Sequence, residues 1–295
     1  MYAALRSASG TCPTTSPAVS SKPEASDLSY TLSCDEPDIL REAYHPALTK
    51  GTPFIVADLG TAELLNVSAN AFLATTVPFI NAMAEVVGAE VTELADAIGL
   101  DARIGRRFLG AGIGFVGGCM PKDIRAFAAR AEALGRGESV SFLREVDAIN
   151  LRRRDRAVHL AVDALAGNVV DKRVAVLCAA FKPHSDDIRD PPRCGRAPDR
   201  PRRRRHRHRH RHRPRALENA RRQHPQLTYV EDRDDALRGA EAVIVVTEWD
   251  EYRRGLPPEH AASLVAGKVI VDGCNCLNAV EWREAGWTYH GMGRP

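Results

Sequence analysis

Short apolar segments alternate with helical segments over residues 169–295, and this alternation constrains the fold more than any other feature. The segments RVAVLC (173–178), LTYV (227–230), AVIVVTE (242–248) and KVIVDG (268–273) have the length and composition of strands. Helical sequences such as ALENARRQ, DRDDALRG and NAVEWREAG lie between or after them. Such alternation predicts an α/β fold, here a doubly wound, Rossmann-like parallel sheet.

An arginine–histidine tract, PRRRRHRHRHRHRPR at residues 201–215, interrupts this pattern. After RVAVLC, a doubly wound domain needs a helix and a second strand, a crossover of about a dozen residues or more. Residues 191–215 offer no apolar face, and their like charges repel one another. We therefore predict a disordered insert at 191–215. We also hypothesise that this segment and residues 1–37 are read out of frame.

The remaining chain divides into a disordered tail over 1–37, rich in Ser, Thr, Pro and Ala, and a segment 38–168. The latter is interpreted as the remnant of a first domain joined to a central helical region. Its first helix and strand are DILREAY and TPFIVAD. A long helical stretch follows, for which Thr61 is a candidate N-cap and in which Pro78 should produce a kink or a break.

Composition narrows the class of protein. Twelve arginines lie within 193–215, and without that segment acidic residues outnumber basic ones, so nucleic acid is not predicted as a general partner. The seven cysteines are scattered without a CxxC pair, which indicates a reducing, cytoplasmic location. The N-terminus does not resemble a secretory signal, and no membrane span is predicted because no run approaches about 18 apolar residues.

The segment GAGIGFVGGCMPKD, residues 110–123, carries the clearest chemical signal. Its glycines permit close approach of a ligand to the backbone, and Pro121 suits the first turn of a helix. Cys119 would then lie at a helix N-terminus beside Lys122, two features that favour a thiolate. From the residues alone, Cys119 is either a nucleophile or a small buried side chain.

The motif FLGAGIGFVGGCMPKD resembles the UDP-glucose/GDP-mannose dehydrogenase family, especially members that act on UDP-glucose. Supporting segments occur in the family's order: TAELLNVSANAFLA, RIGRRFL, AAFKPHSDDIRD, VVTEWDEY and VDGCN. The resemblance covers residues 38–190 and 216–295. It implies an NAD-dependent oxidoreductase that converts the C6 alcohol of a UDP-sugar to a carboxylate through a cysteine thiohemiacetal and thioester. It also implies a homodimer formed through the central helices.

The resemblance assigns site residues by position. Cys119 would be the nucleophile, Asp123 would assist water, and Asn70 would help hold the oxyanion. The residues assigned to the UDP-sugar are Arg103, Gly110, Ala111, Gly112, Ile113, Gly114, Phe181 and Lys182, those assigned to the cofactor are Lys122 and Arg189, and no metal ligands are predicted. Structural alternatives remain open, because Asn70 could be a surface amide, Arg103 a solvated charge and Asp123 a first-turn acid.

Several departures from the family predict impaired activity. Asn66 stands where the family has a lysine, and it cannot transfer that group's proton. Val116 replaces a loop glycine, Cys274 replaces the arginine of a DGRN motif, and Cys178 replaces a glycine. Residues 1–57 contain no GxGxxG loop after a strand, so the N-terminal dinucleotide-binding domain is predicted to be largely absent.

Two other functions are compatible with parts of the sequence. The chain could be a non-catalytic remnant of the family that dimerises through its central helix. Alternatively, the arginine–histidine tract could bind nucleic acid through its arginines, or Ni²⁺ or Zn²⁺ through its histidines. The tract lacks the ligand spacing of a tetrahedral zinc site, and this last hypothesis leaves the matched segments unexplained.

Overall fold

The computed structural model of the 295-residue chain describes residues 30–32, 37–86, 90–115, 119–177, 207–210 and 214–294. The chain divides into two compact units, Met1–Ala71 and Phe72–Pro295. Their boundary falls inside a helix, and each unit is described by itself below.

The first unit contains a small parallel sheet. Strand β1 (Tyr30–Leu32) pairs with β2 (Phe54–Val56), and helices α1 (Pro37–Ala43) and α2 (His45–Leu48) lie between them in the chain. The predicted disorder of 1–37 is therefore wrong for β1 and for Pro37. The physical reason is that tyrosine and threonine favour extended backbone, and pairing with β2 satisfies part of the β1 backbone.

Helix α3 spans Leu59–Val86 and crosses the boundary between the units. Its N-terminus is capped by Asp58, whose carboxylate accepts the backbone N–H of Thr61 at 3.0 Å and the Thr61 hydroxyl at 2.6 Å. These two bonds lower the pKa of Asp58. The prediction of Thr61 as N-cap is wrong because the acid three residues earlier provides the better acceptor for this N–H.

Pro78 lies inside α3 without ending it, so a break at this position is excluded. Proline removes one helical hydrogen bond, and nearby side chains bond to carbonyl groups of the preceding turn. The hydroxyl of Thr75 donates to the carbonyl of Phe72 at 2.6 Å, and that of Thr76 donates to Leu73 at 2.8 Å.

By length and composition alone, α3 is apolar enough to cross a membrane. This corrects the sequence-based statement that no segment approaches a membrane span, which counted uninterrupted apolar residues rather than average hydropathy. Core helices of soluble proteins meet the same criterion, so the finding does not by itself define a membrane protein.

The second unit begins with helices that lead to the sheet. They are the remainder of α3, α4 (Val91–Gly99), α5 (Met120–Ala133), a 3₁₀ turn (Gly137–Val140) and α6 (Phe142–Ala164). Helix α6 is 23 residues long and follows the 3₁₀ turn after a single residue, Ser141. Its buried residues recur at spacings of three and four: Leu143, Val146, Asn150, Arg153, Arg154, Ala157, Val158 and Ala161.

The sheet of the second unit has six strands: β3 (Val174–Leu177), β4 (Arg207–His210), β5 (Thr228–Tyr229), β6 (Ala242–Val245), β7 (Val269–Asp272) and β8 (Thr288–Gly291). All neighbours are parallel, in the order β5-β4-β3-β6-β7-β8. This confirms the predicted doubly wound fold. The helices are α7 (Pro214–Gln223), α8 (Arg233–Leu237), α9 (Asp250–Arg253), α10 (Pro258–Leu264) and α11 (Ala279–Glu284).

The core of this unit lies around the central strands β3, β6 and β7. All four β6 residues are buried, as are three of the four residues of β3 and of β7. Trp282 and Trp287 pack edge to face against each other, with ring centroids 4.8 Å apart, beside the β8 end of the sheet. The apolar strands therefore form the interior that their composition predicts.

Part of the arginine–histidine tract belongs to this sheet. Residues 207–210 form β4, which pairs with β3 on one side and β5 on the other, and Pro214 begins α7. The prediction of a disordered insert at 191–215 is therefore wrong for 207–210 and 214–215. Strand pairing uses backbone groups, which any non-proline residue supplies, so a polar sequence can occupy the position between two strands. The rest of 191–215 lies outside the described residues.

Candidate functional site

The carboxyl edge of the sheet contains the point where ligands bind in open α/β folds. The strand order reverses between β3 and β6, because the chain proceeds from β3 towards β5 and then returns to β6. Nucleotides bind in the crevice outside the strand ends at such a point. The turn 273–275 follows β7 at this edge, and the sequence that follows β3 contains Phe181 and Lys182, which lie outside the described residues.

The glycine loop, defined as residues 110–115, docks on this edge. The backbone N–H of Ile113 donates to the carbonyl oxygen of Gly273 at 2.6 Å. A methyl group on Gly112 would lie 2.8 Å from the same oxygen and 3.5 Å from the Cα of Cys274. Only glycine therefore permits the observed approach at position 112, whereas nothing lies within 4 Å of the corresponding position on Gly110.

Asn275 provides a second connection between the loop and the sheet. It has a positive φ of 51°, which asparagine tolerates better than most residues. Its Nδ2 donates to the carbonyls of Ala111 at 3.0 Å and Met292 at 3.1 Å, and its Oδ1 accepts the N–H of Met292 at 2.8 Å. This single side chain joins the glycine loop to the end of β8.

Asp272 organises the same turn from inside the protein. Its side chain is fully buried and accepts the N–H of Leu277 at 2.7 Å and the hydroxyl of Tyr289 at 2.9 Å. Burial, followed by the charge of Asp272, raises the pKa of Tyr289, and the same two causes raise the pKa of Cys276. The VDGCN segment thus acts as a scaffold for the sheet edge.

Two buried side chains, one on α3 and one on α6, form hydrogen bonds with the backbone of Gly112. Asn81 of α3 accepts the N–H of Gly112 at 2.9 Å, and the Nε of Arg153 on α6 donates to its carbonyl at 3.1 Å. Arg153 also donates to the carbonyl of Met292 at 3.0 Å and lies 3.6 Å from Glu85. Burial lowers the pKa of Arg153, and the charge of Glu85 opposes this effect.

Asn150 holds the far end of the loop. Its Oδ1 accepts the N–H of Phe115 at 2.7 Å, and its Nδ2 donates to the Phe115 carbonyl at 2.9 Å. Arg154 donates to the same carbonyl at 3.2 Å. Gly114 has a φ of 93°, and a methyl group on it would overlap Asn150. The loop is therefore fixed at Ala111, Gly112, Ile113 and Phe115 by partners outside it.

Cys119 occupies the N-cap position of α5 and is exposed, with Pro121 in the first turn as predicted. The N–H of Asp123 donates to the Cys119 carbonyl at 2.9 Å, which is the first helical bond. The Asp123 carboxylate is largely buried and lies 3.1 Å from the exposed Lys122 ammonium. The structure thus brings Cys119, Lys122 and Asp123 together at one helix end, a position that favours negative charge.

The other predicted site residues are placed separately. Asn66 and Asn70 lie one turn apart on α3 in the first unit, with Asn66 exposed and Asn70 partly buried. Arg103 is at the surface, where it forms an ion pair of 2.6 Å with Asp101 and lowers the pKa of that acid. Phe181, Lys182, Arg189, Val116 and Cys178 lie outside the described residues. Within the described ranges, no group of three or more His, Cys, Asp or Glu residues could hold a metal ion.

Sequence reasoning missed four residues that shape the loop: Asn81, Asn150, Arg153 and Asn275. A signal for the two on α6 was present, because they fall on the same three- and four-residue spacing as the apolar residues of that helix. Polar residues at core positions indicate buried hydrogen bonding. Asn275 carried a weaker signal, as an asparagine in a turn immediately after a buried strand.

The fold and the site together define a doubly wound α/β protein with a glycine loop docked on the carboxyl edge of its sheet and a cysteine four residues beyond that loop. The central-domain model of the UDP-glucose/GDP-mannose dehydrogenase family matches residues 60–152, and the family's UDP binding domain matches residues 175–279. The chain belongs to the UDP-glucose/GDP-mannose dehydrogenase family.

Curated relatives of the chain include two UDP-glucose 6-dehydrogenases. The protein from Rhizobium meliloti is 32% identical over 261 residues, which are 88% of this chain and 59% of the relative. TuaD from Bacillus subtilis is 34% identical over 263 residues, which are 87% of this chain and 55% of the relative. The chain therefore spans less than two thirds of the length of these relatives.

Solved structures share the fold. A UDP-glucose dehydrogenase from Pyrobaculum islandicum superposes with a TM-score of 0.70 at 31% identity, covering 88% of this chain and 56% of that protein. A UDP-D-ManNAc dehydrogenase from Pyrococcus horikoshii gives a TM-score of 0.63 at 20% identity, covering 86% and 58% of the two chains. The second similarity supports the fold alone.

Proposed function

We propose that the chain binds a UDP-sugar at the carboxyl edge of the second unit's sheet and presents Cys119 to carbon 6 of the sugar. The hydrogen bond between Ile113 and Gly273 carries this proposal, because it attaches the loop that leads to Cys119 to the strand end where nucleotides bind. The match to a UDP binding domain supports UDP as the nucleotide, and the curated relatives support UDP-glucose as the substrate.

The chemistry available to Cys119 is covalent capture of the aldehyde form of the sugar. The thiolate sulfur adds to the aldehyde carbon, the carbonyl electron pair moves to oxygen, and that oxygen takes a proton. The thiohemiacetal forms without a change in oxidation state. Conversion of the thiohemiacetal to a thioester would need an external two-electron oxidant of the nicotinamide class to accept a hydride from the sugar carbon. Asp123, held one turn along α5, is proposed to orient the water that would then hydrolyse the thioester to the carboxylate and release the Cys119 thiol.

The cofactor predicted from the resemblance is NAD. A dinucleotide needs a strand that leads through a glycine-rich turn into a free helix N-terminus. At the junction of β2 and α3, the carboxylate of Asp58 already caps the helix and would repel a pyrophosphate. This junction therefore does not fit a dinucleotide, and no step of the proposal is assigned to the cofactor. Lys122 and Arg189 remain predicted cofactor contacts.

We further propose that turnover of this chain is impaired. By resemblance, a lysine belongs at the position of Asn66, and an acid–base group of that kind contributes about 10²–10⁴-fold to a rate. Cys274, next to the glycine loop, supplies no charge where the family has an arginine, so UDP-sugar affinity should also fall. A non-catalytic remnant that dimerises is the second candidate, and these substitutions favour it.

The proposed homodimer would use α3. Its side chains Phe72, Phe79 and Val86 follow one another at seven-residue spacing and are 69%, 51% and 72% exposed. An apolar stripe of this spacing is suited to packing against another helix. A dimer would cover these side chains with protein, so no membrane is needed to bury them. The location predicted from the cysteines is the cytoplasm.

Calorimetric titration tests the proposed site. We expect UDP and UDP-glucose to bind saturably with one site per chain, and we expect GDP to bind more weakly. Cys119→Ser should retain the UDP affinity, because the thiol is assigned to the sugar rather than to the nucleotide. Absence of UDP binding in a folded dimer would contradict the proposal and leave the non-catalytic remnant.

Formation of NADH from UDP-glucose and NAD tests the proposed impairment. We expect slow or undetectable turnover in the chain as it stands. Asn66→Lys, alone and with Val116→Gly, should increase turnover towards the factor of about 10²–10⁴ given by acid–base catalysis. Ser68→Lys is the matched control, because it adds the same charge at an exposed position of the same helix outside the assigned site, and it should not restore turnover. Full turnover without either substitution would contradict the assigned role of position 66.

A further inference from the structure

Asn150 makes two reciprocal hydrogen bonds to one residue of the glycine loop. Its side chain is fully buried on α6, and it both accepts from the N–H of Phe115 at 2.7 Å and donates to the Phe115 carbonyl at 2.9 Å. Phe115 is itself 6% exposed, so its backbone groups depend on protein partners. The Asn150 side chain thus hydrogen-bonds to both backbone groups of Phe115, as a neighbouring strand would in a sheet.

The amide side chain supplies both the acceptor and the donor that this pair of bonds needs. A carboxylate supplies acceptors alone, and an aliphatic side chain of the same shape supplies neither donor nor acceptor. The adjacent Gly114 has a φ of 93°, and any β-carbon on it would overlap the oxygen of Asn150. The loop conformation and the amide at position 150 therefore require each other.

Asn150 acts at the end of the loop that leads to Cys119. The start of the loop is attached to the sheet edge through Ile113 and Gly273, and Cys119 follows Phe115 by four residues. Fixing Phe115 therefore limits where the N-terminus of α5 and the thiol can lie relative to the sheet edge. Side chains at such sites must be held to within about 0.5 Å for efficient function.

We propose that Asn150 is a positioning residue that sets the thiol of Cys119 relative to a UDP-sugar bound at the sheet edge. This inference rests on the proposed function, because it takes Cys119 to be the residue that meets the sugar. Asn150 is not assigned any contact with the substrate. Its effect passes through the backbone of Phe115.

The experiment measures alkylation of Cys119 by iodoacetamide, with and without UDP-glucose, by mass spectrometry of the Cys119 peptide. The full chain is compared with Asn150→Leu, which keeps the shape and removes both bonds, and with Asn150→Asp, which keeps the acceptor for the Phe115 N–H. UDP affinity and the unfolding temperature are measured for each variant.

Asn278→Leu is the matched control. Asn278 is exposed and caps α11 by accepting the N–H groups of Val280 and Glu281, so its replacement lowers stability through a different helix. This variant should lose thermal stability and keep the protection of Cys119 by UDP-glucose. It separates a general loss of stability from a loss of positioning.

In the unsubstituted chain, we expect UDP-glucose to slow the alkylation of Cys119. In Asn150→Leu, this protection factor should fall by about tenfold, the change expected for loss of buried hydrogen bonds, while UDP affinity changes by less. Asn150→Asp should give a smaller fall, and it decides the question if the leucine variant does not fold. Amide exchange of the peptide that contains Phe115 should accelerate in both variants.

Unchanged protection of Cys119 in folded Asn150→Leu or Asn150→Asp would overturn the inference, as would an equal loss in Asn278→Leu. If UDP binds the unsubstituted chain but UDP-glucose leaves Cys119 unprotected, the proposed role of Cys119 fails. Amide exchange at Phe115 then still shows whether Asn150 holds the loop, so the two failures are distinguishable.

Discussion

The backbone N–H of Ile113 lies 2.6 Å from the carbonyl oxygen of Gly273. This contact joins two segments that are far apart in the chain, one leading to Cys119 and the other ending a central strand of the sheet. Asn275 adds a second bond between the same segments through the carbonyl of Ala111. The glycine loop is consequently part of the proposed nucleotide-binding edge, and substitutions at the contact should affect ligand binding.

Gly112→Ala should weaken UDP-sugar binding. The added methyl group would lie 2.8 Å from the Gly273 carbonyl, which is too close for either backbone to remain in place. Overpacking of this kind costs about 1–3 kcal/mol, so affinity measured by calorimetry should fall roughly tenfold or more. Gly137→Ala is the control, because it lies outside the assigned site and its added methyl group would make an ordinary contact of 3.4 Å with Glu132. Equal effects of the two substitutions would contradict the docking of the loop.

Asn275→Ala should lower the free energy of unfolding by about 1–3 kcal/mol, because it leaves the backbone groups of Ala111 and Met292 without their partner. It also places alanine at a φ of 51°. Asn275→Gly removes the same bonds but accepts that φ, so it separates the two causes. Urea unfolding measures both variants, and wild-type stability in Asn275→Gly would show that the side-chain bonds contribute nothing.

The strands of the second sheet could be predicted because they are short, apolar and bounded by turn residues. The prediction failed at β4, where arginine and histidine give no apolar signal and the neighbouring strands supply the pairing instead. It missed β8, whose sequence TYHG is brief and polar but is held by its ladder with β7. The pairing with neighbouring strands stabilises β4 and β8, and the local sequence of each strand does not reveal that pairing.

The candidate site, like the sheet, could be predicted from the sequence only in part. The glycine-rich segment and Cys119 were singled out from the residues themselves and from the helix predicted to follow, whereas the roles assigned to them came from the family resemblance and stay predictions. The asparagines at 81, 150 and 275 were not, because an asparagine on a helix or in a turn is usually solvated. Their roles arise from long-range contacts, such as that between Asn150 and Phe115, which depend on how α6 packs beside the loop.

Glu90 should make stability depend on pH. Burial raises its pKa, but hydrogen bonds from Thr92 and Arg294 outweigh burial, so the net shift is downward. Because the pKa of Glu90 is lower in the folded state, its ionised form stabilises the fold at pH values above the ordinary pKa of about 4.3. This contribution is lost as pH falls through the folded-state pKa. Arg294→Gln should therefore destabilise at pH 7 by about 0.5–1 kcal/mol and by less at low pH, as measured by urea unfolding. A pH-independent difference between the two proteins would contradict this assignment.

Cys276 should resist alkylation in the folded protein. Burial, followed by the charge of Asp272, raises the pKa of this thiol, and only the thiolate reacts readily. Near pH 8, iodoacetamide should modify the exposed Cys119 well before Cys276, and urea should remove the difference. Peptide mass spectrometry reports both sites in one sample. Rapid modification of Cys276 in the folded chain would show that the turn after β7 is open.

Amide exchange with and without UDP-glucose tests most directly the claim that the glycine loop and the sheet edge form one UDP-sugar site. The account predicts that the peptides containing Ile113 and Gly273 become protected together, with the same dependence on ligand concentration, and that α10 is unaffected. Protection of only one of the two peptides, or of neither at saturating UDP-glucose, would contradict it.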